Sequence, residues 1–429
     1  MGHKEHSKPD VLIVGSGPSG IMAAIKAAQS GARVTVLEQM AKPGMKLLAT
    51  GGRRCNLTNT KTPEEIMSDF GRTGRFMRPA MSALNNVKLR SFFHELGVKT
   101  HSPDGFRVWP VTHKATSIHG ALLKRSQELG IQIVCDCEVK QILLNGDKQN
   151  GVATSKGHFY GKTLILCTGG LSLASTGATG TGYQIARNAG HNIMPTYPSG
   201  VPLFTKETWM GTCTADTIPK VTAKICPKRG EHIKGAKQIR ARGDLILTRK
   251  GIAGPLALNL SREIAPLIER YKEVPIILNL IKGLSENDLD LNFHKCKKEN
   301  PSCTLGEFLK PYAPESFRKV LSLEIDISLD KHINELPRKK IIETAVLLCK
   351  NPMTITGTAG YARAIATKGG VSLKEINPNT LMSKRIQNLF FAGELVDMDG
   401  PCGGYNLTWA FSSGNLAGLE AANQANIIS

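Results

Sequence analysis

The sequence predicts an α/β fold, a parallel sheet split along the chain by a long insertion. Three observations predict it. Between Asp10 and Glu38 a strand, a glycine turn, a helix, a second strand and an acid follow one another in that order. Apolar strands that open onto glycine loops recur at Gly161 to Gly170 and at Leu389 to Glu394. Between these, the texture changes to short β runs and then to polar helices.

In the first unit, Val11 to Val14 is a continuous apolar run of the kind found in a strand covered on both faces. It enters Gly15-Ser16-Gly17-Pro18-Ser19-Gly20, which fits G-x-G-x-x-G. Gly15 permits the tight turn, Gly17 lets backbone approach a pyrophosphate, and Gly20 lets helix and strand pack closely. An Ala-rich helix from Ile21 to Gln29 then offers free N–H groups and a positive dipole end to phosphates. Arg33 to Leu37 forms the second strand. Glu38 stands where a carboxylate accepts from ribose hydroxyls, which favours an unphosphorylated adenosine ribose. A glycine motif alone is weak; the ordered set is not.

Gln39 to Thr60 reads as a polar, glycine-rich loop, followed by helical patterns at Pro63 to Phe70 and Met77 to Leu96. Thr116 to Leu129 reads as a helix, and Ile131 to Cys135 and Glu138 to Leu144 as strands. The strand Gly161 to Cys167 opens onto Thr168-Gly169-Gly170, and the loop Ser175 to Tyr183 enters a helix near Gln184. Prolines at 195, 198 and 202 suggest a boundary. Short β runs extend to about Leu260, and helices with apolar stripes fill Ser285 to Cys349, stripes that read as core faces. From Asn351 the glycine-rich style returns, and the chain ends in a strand, the loop Asp397 to Asn406, and a helix of small residues from Trp409 to Ala422. The expected division is 1–196 and 351–429 for the nucleotide domain, 197–282 for a β-rich insert, and 283–350 for its helical part.

Composition bounds the function classes. The 429 residues carry 41% apolar and 21% charged residues, an ordinary globular balance, with no apolar run long enough to span a membrane. The start of the chain lacks a signal-peptide core, and His6 stands where a myristoylation motif needs Ser or Thr, so a cytoplasmic location is expected. Ten cysteines are scattered with no C-x-x-C and no zinc spacing, which disfavours a dithiol reductase and a metal site. The net charge of +20 raises nucleic acid or an anionic membrane as partners. Its densest window, Thr217 to Lys250, has no Phe, Tyr or Trp for base stacking, so a solvated basic face is the plainer reading there.

KLLATGGRRCNLTN (Lys46 to Asn59), LCTGGLSLASTGATGTGY (Leu166 to Tyr183) and FAGELVDMDGPCGGYNLTWAFSSGNLAG (Phe391 to Gly418) resemble the bacterial NAD(P)/FAD-dependent flavoprotein family that includes aminoacetone oxidase and a bile-acid-pathway reductase. Gly243 to Pro255, Ala366 to Val371 and Glu375 resemble further stretches of that family. The resemblance implies a discontinuous Rossmann-type FAD domain with an inserted β-barrel-like unit and a small helical unit. It implies FAD as cofactor, with NAD(P)H as a transient donor. Carried over, Gly15, Gly17 and Gly20 serve the pyrophosphate and Glu38 the adenosine ribose, with Thr168 and Gly169 near the adenosine. Gly393 and Glu394 lie along the ribityl–phosphate stretch. Arg54, Asn56, Gly404, Tyr405 and Asn406 lie around the isoalloxazine. Pro18, Ser19, Gln39, Lys46, Gly51, Gly52, Cys55, Val139, Gly170 and Gly403 complete the expected cofactor-binding set.

Three departures from the family pattern stand out: Arg53 replaces Gly, Arg249 replaces His, and Cys402 replaces Thr. No second dinucleotide motif is visible, and no residue pattern singles out a catalytic acid, base or nucleophile. The expected reaction is hydride transfer through flavin N5, reducing an activated double bond of a small molecule in a pocket between the two domains. The alternatives are an oxidase of a small amine using oxygen, and a flavoprotein acting on RNA or at a membrane through its basic face.

Overall fold

A computed structural model describes residues 8–213, 216–227, 232–233 and 235–428. His6, and Lys228, Arg229 and Lys234 of the basic window, lie outside the described residues. The chain divides into two compact units, Met1–Tyr197 with Ile365–Ser429, and Pro198–Ala364.

The first unit is built on a five-stranded sheet: β1 (Val11–Val14), β2 (Val34–Leu37), β3 (Gln132–Val134), β4 (Thr163–Leu166) and β5 (Leu389–Phe391). The order is β5-β4-β1-β2-β3, and every pairing is parallel. The sequence distinguishes the strands poorly by alternation because β1, β2 and β4 are buried at every position, as a sheet covered on both faces requires. Helix α1 (Pro18–Gln29) follows β1, and α3 (Tyr405–Ile427) follows β5; between them in the chain, α2 (Met45–Arg53) follows β2.

The contact of α1 with α3 explains the small residues of the C-terminal helix. A Cβ at Gly414 would lie 2.2 Å from Ser19 O, and one at Gly418 would lie 2.3 Å from Ala23 O. The two helices therefore pack backbone to backbone and run in the same direction.

His191 marks a pH-sensitive point beside β5. It is buried, its Nε2 pairs with Ser383 Oγ at 2.8 Å, and its ring meets Phe391 edge-on at 4.9 Å. Burial holds its pKa below the ordinary imidazole value, against the opposing pull of Glu375. The unfolded chain then binds more protons than the folded one between the lowered value and the ordinary one, so this contribution is complete above about pH 6.5 and is lost as pH falls through that window. Melting temperatures should fall from about pH 7.5 to about pH 5.5, and His191→Gln should flatten that slope.

The second unit holds a closed six-stranded barrel in the order Leu203–Thr205, Gly251–Ala253, Arg240–Thr248, Thr217–Ile225, Val274–Asn279 and Asn351–Thr358. Leu203, Val221, Leu245, Leu247, Ile252, Val274 and Ile355 are fully or almost fully buried in its core. Helices Glu286–Glu299, Leu305–Leu309, Glu315–Glu324 and Arg338–Cys349 share that core. Two of them start at capping boxes, Ser285 with Asp288 and Thr304 with Glu307, which satisfy their first N–H groups.

Four expectations are corrected. Asn351–Thr358 is a barrel strand paired antiparallel with Val274–Asn279, so the second unit runs on to Ala364 instead of ending near 350. Gly254–Tyr271, read in part as β, is an 18-residue helix that starts with Pro255 in its first turn and buries Leu256, Ala257, Leu260 and Ile264 at helical spacing. Met77 to Leu96 breaks in two, because the Asn85 side chain accepts from Lys88 N at 2.9 Å and starts a new helix. The stretch read as a loop after Glu38 contains α2, whose one buried residue is Leu47. The loop character survives within it, since Thr50, Gly51 and Gly52 leave helical geometry.

Candidate cofactor site

The turn after β1 uses its glycines for different reasons. Gly15 has φ +95°, and a Cβ there would lie 2.5 Å from Cys167 O at the end of β4. A Cβ at Gly20 would lie 1.9 Å from Gly15 O. Both positions are closed by the chain itself. Gly17 differs: its φ is −66°, and an added Cβ would meet nothing within 4 Å. Gly17 is also the N-cap of α1 and supplies no side-chain cap, so the first-turn N–H groups of Ser19 and Gly20 face this open space without a side-chain acceptor.

Glu38 locks the same turn. It is buried, and its Oε2 accepts from Ser16 N at 2.8 Å and from Ser16 Oγ, while Oε1 accepts from Met40 N at 2.8 Å. A carboxylate has about four acceptor sites, so Oε1 keeps room for one more donor. Gln39 reaches the other way and donates to Gly177 O, tying the end of β2 to the loop after β4. Val139, buried at the start of its own strand, pairs with Thr154.

In the loop after β4, Thr168 Oγ1 is buried with no hydrogen-bond partner. A Cβ at Gly182 would lie 1.8 Å from that oxygen, so the facing helix can pass only as glycine. Gly169 has φ +73°, and Gly170 makes room for Thr367 Oγ1 and Glu394 Oε1, which a Cβ there would approach to 2.4 and 2.7 Å.

Glu394 is the centre of a network that sequence reasoning named only in part. Lys46 Nζ donates to Glu394 Oε2 at 2.5 Å and to Ser172 Oγ at 2.7 Å. Ser172 Oγ donates to Glu394 Oε1 at 2.9 Å, and Thr367 N donates to the same oxygen at 2.8 Å. The ion-pair side chains are only 18% and 20% exposed. Ser172 and Thr367 were missed, although both lie inside the stretches Leu166 to Tyr183 and Ala366 to Val371 that carry the family resemblance. Gly393 sits against Ser19 of α1, where a Cβ would lie 2.4 Å from Ser19 Oγ.

The start of α3 is a scaffold of asparagines. With its amide oriented to satisfy both neighbours, Asn56 donates to Thr58 O at 2.9 Å and accepts from Gly404 N at 3.1 Å. Asn59 donates to Gly403 O at 3.0 Å. Asn406 closes the loop on itself, accepting from Gly400 N at 2.8 Å and donating to Gly400 O at 3.0 Å. Tyr405 is buried, lies edge-on to Phe70, and donates its hydroxyl to Asp69 at 2.7 Å. Burial and the Asp69 carboxylate push its phenol far above the ordinary value, so it stays a neutral donor. These side chains shape the loop backbone, and Gly404 caps α3 with φ +86° and no side-chain cap.

Near α2, Gly51, Gly52, Arg53 and Cys55 all have φ between 56° and 68°. Arg53, at the family's glycine position, holds a left-handed conformation that costs a non-glycine residue about 1 kcal/mol. The Arg54 guanidinium lies 4.7 Å over the Trp109 ring. Arg249 lies exposed in the turn between two barrel strands. Cys55 is fully buried, and burial pushes its thiol up to about 12. It is therefore a packing residue, and iodoacetamide at about pH 8 should leave it unmodified in the native protein, as peptide mass spectrometry would show. Burial likewise raises the Cys402 thiol, against the nearby Arg107.

A family model described as the HI0933-like protein Rossmann domain matches residues 9–420. The chain belongs to the HI0933-like family. That family is one of Rossmann-type flavoproteins, and the parallel sheet and closed barrel are its expected architecture. The chain is 30% identical over 420 residues to a 3-dehydro-bile acid delta(4,6)-reductase of Clostridium scindens, covering 96% of this chain and 98% of that protein. It is 29% identical over 419 residues to a ribosomal RNA dihydrouridine synthase of Haemophilus influenzae, again covering 96% and 98%. Among solved structures, a 3-ketosteroid delta1-dehydrogenase from Sterolibacterium denitrificans aligns with TM-score 0.54 at 11% identity, over 97% of this chain and all of that one. This last likeness concerns the fold alone.

The residues present fit an FAD. Gly17 leaves open space before an uncapped helix start, Glu38 keeps one acceptor site, and Thr168 carries an orphaned buried hydroxyl.

Proposed function

We propose that the chain is an FAD-dependent oxidoreductase that reduces a carbon–carbon double bond conjugated to a carbonyl, with NADH or NADPH as hydride source. The observation that carries the cofactor reading is the offset of two uncapped helices in one unit. Ser19, one residue into α1, faces Gly414, nine residues into α3, so α3 starts eight residues earlier along a shared direction. At 1.5 Å per residue that is roughly 12 Å. A ribityl chain together with the flavin ring it carries reaches across a gap of that order, so a pyrophosphate at α1 and a flavin ring at α3 would suit one dinucleotide.

The bound FAD would supply two-electron hydride chemistry at N5. The N–H groups of α1 would hold the pyrophosphate, and the free acceptor of Glu38 would take an adenosine ribose hydroxyl. Thr168 Oγ1 would find its missing partner on the adenosine side. Lys46, Ser172 and Glu394 would orient the ribityl–phosphate stretch, their mutual bonds holding them in place beforehand. The positive end of α3, kept open by Gly404 and braced by Asn56, Asn59 and Asn406, would stabilise negative charge arriving on the ring. No residue is assigned as the acid or base.

The choice of reaction rests on the relatives. One is named as a reductase of a bile-acid double bond, and the product named for the other differs from uridine by one hydrogenated double bond conjugated to a carbonyl. Anaerobic NAD(P)H oxidation that requires an added enone is the expected result. Consumption of oxygen with a small amine, and no turnover of NAD(P)H, would replace this reading by the oxidase. A second reading is favoured by the net charge of +20: the double bond belongs to a uridine base in RNA. Incubation of unmodified ribosomal RNA with enzyme and NADPH should then yield nucleosides heavier by two hydrogens.

A further inference from the structure

The helical turn Gly71–Met77 is a 3-10 helix, and it runs directly into the α-helix Arg78–Ala83. Residues three apart eclipse one another in 3-10 geometry. The burial pattern follows that period without a break from 72 to 80. Arg72, Arg75 and Arg78 are exposed, Thr73, Phe76 and Pro79 are half-buried, and Gly74, Met77 and Ala80 are buried. The three arginine positions therefore stand in a column, with backbone steps of roughly 6 Å. Among the described residues none of the three forms an ion pair. Of the three carboxylates of the preceding helix, Asp69 is engaged with Lys61 and Tyr405 and Glu65 with Thr62 in a capping box, while Glu64 lies exposed in its first turn.

The backbone that carries the column is packed against the helix before it, and it is attached to the cofactor site. A Cβ at Gly74 would lie 1.7 Å from Met67 O, so the turn is pressed against the helix before it. Phe76 lies edge-on to Trp409 at 6.2 Å, and Phe70 lies edge-on to Tyr405 at the same distance. Both partners belong to the first two turns of α3, where the flavin ring is placed above. Unpaired arginines in a row are suited to successive phosphates of a strand, since each fork takes a phosphate bidentately.

We propose that Arg72, Arg75 and Arg78 form a docking column for the phosphate backbone of an RNA strand, delivering one of its bases to the start of α3. The proposal rests on the RNA reading of the proposed function. It assigns that reading a surface outside the basic window Thr217 to Lys250, the densest run of charge in the sequence.

The test is the salt dependence of binding of a fluorescein-labelled oligouridylate to the FAD-loaded protein, followed by anisotropy. The triple variant Arg72→Gln, Arg75→Gln, Arg78→Gln should lose at least tenfold in affinity, and its log–log salt slope should shrink by about 2, the expectation for three lost contacts to a single strand. A control of equal charge, Lys124→Gln, Lys295→Gln, Lys298→Gln on exposed positions of other helices, should leave the slope almost unchanged. Equal losses in both triples would reduce the column to bulk charge and overturn the proposal. So would a wild-type protein that ignores RNA, or one that binds phosphatidylglycerol vesicles instead. Because the three side chains are exposed, the flavin spectrum and melting temperature report that the variant is folded. NAD(P)H oxidation with a small enone reads out the proposed chemistry separately, so failure of the column and failure of the reductase reading remain distinct.

Discussion

A Gly17→Asp variant is expected to fold normally and to purify without FAD. Position 17 has an ordinary φ of −66° and open space around the missing Cβ, so the new side chain meets no steric penalty. It also sits at an N-cap, where Asp in place of Gly stabilises a helix by roughly a few tenths of a kcal/mol. The same carboxylate would occupy the first N–H groups of α1 and place a negative charge where the phosphates bind. Two like charges about 4 Å apart repel by on the order of 4 kcal/mol at an effective dielectric of 20. Affinity for FAD should fall by a hundredfold or more, measured by fluorescence titration of the apoprotein, while the melting temperature of the apoprotein holds or rises. Retention of FAD at wild-type affinity would place the pyrophosphate elsewhere.

Gly20→Ala is expected to do the reverse, striking the fold first. Its Cβ would lie 1.9 Å from Gly15 O, a backbone atom at the tightest point between β1 and α1. No rotamer relieves that clash, and α1 cannot retreat because Ser19 and Ala23 are packed on Gly414 and Gly418. The cost should reach about 3 kcal/mol or more, seen as a lowered denaturation midpoint and poor recovery of folded protein. The paired outcome separates a glycine kept for a ligand from one kept for the chain. Thermal melts of Gly17→Asp and Gly20→Ala side by side would read it.

Much of the first unit was legible because its physics is local. A strand covered on both faces must be apolar throughout, and Val11 to Val14 and Leu389 to Phe391 advertise that. The glycine turn was legible because the positive φ of Gly15 and the contact of Gly20 with Gly15 O are local, although Gly15 also makes way for Cys167 O, which the sequence alone does not show. The Glu394 network was less legible. Lys46 and Glu394 were expected at the cofactor, but their direct pairing crosses 348 positions of sequence. Ser172 and Thr367 look like ordinary turn residues until the sheet brings their loops together. The helix Gly254–Tyr271 was hidden by Pro266 and by polar residues between its apolar positions. The barrel strand Asn351–Thr358 was hidden by Gly357, which suggested another loop.

Asn56, Tyr405 and Asn406 carry a different lesson. The family resemblance sets them around the flavin, whereas their side chains are taken up by Thr58, Asp69 and Gly400. Their contribution to a flavin would run through the backbone they hold open at Gly403 and Gly404.

FAD binding and its reduction by a nicotinamide are tested together by the visible absorbance of the purified protein under anaerobic conditions, before and after mixing with NADPH or NADH. Oxidised flavin bands are expected that bleach on mixing and return when an enone is added. A colourless protein that takes up no added FAD would contradict the FAD reading at its root.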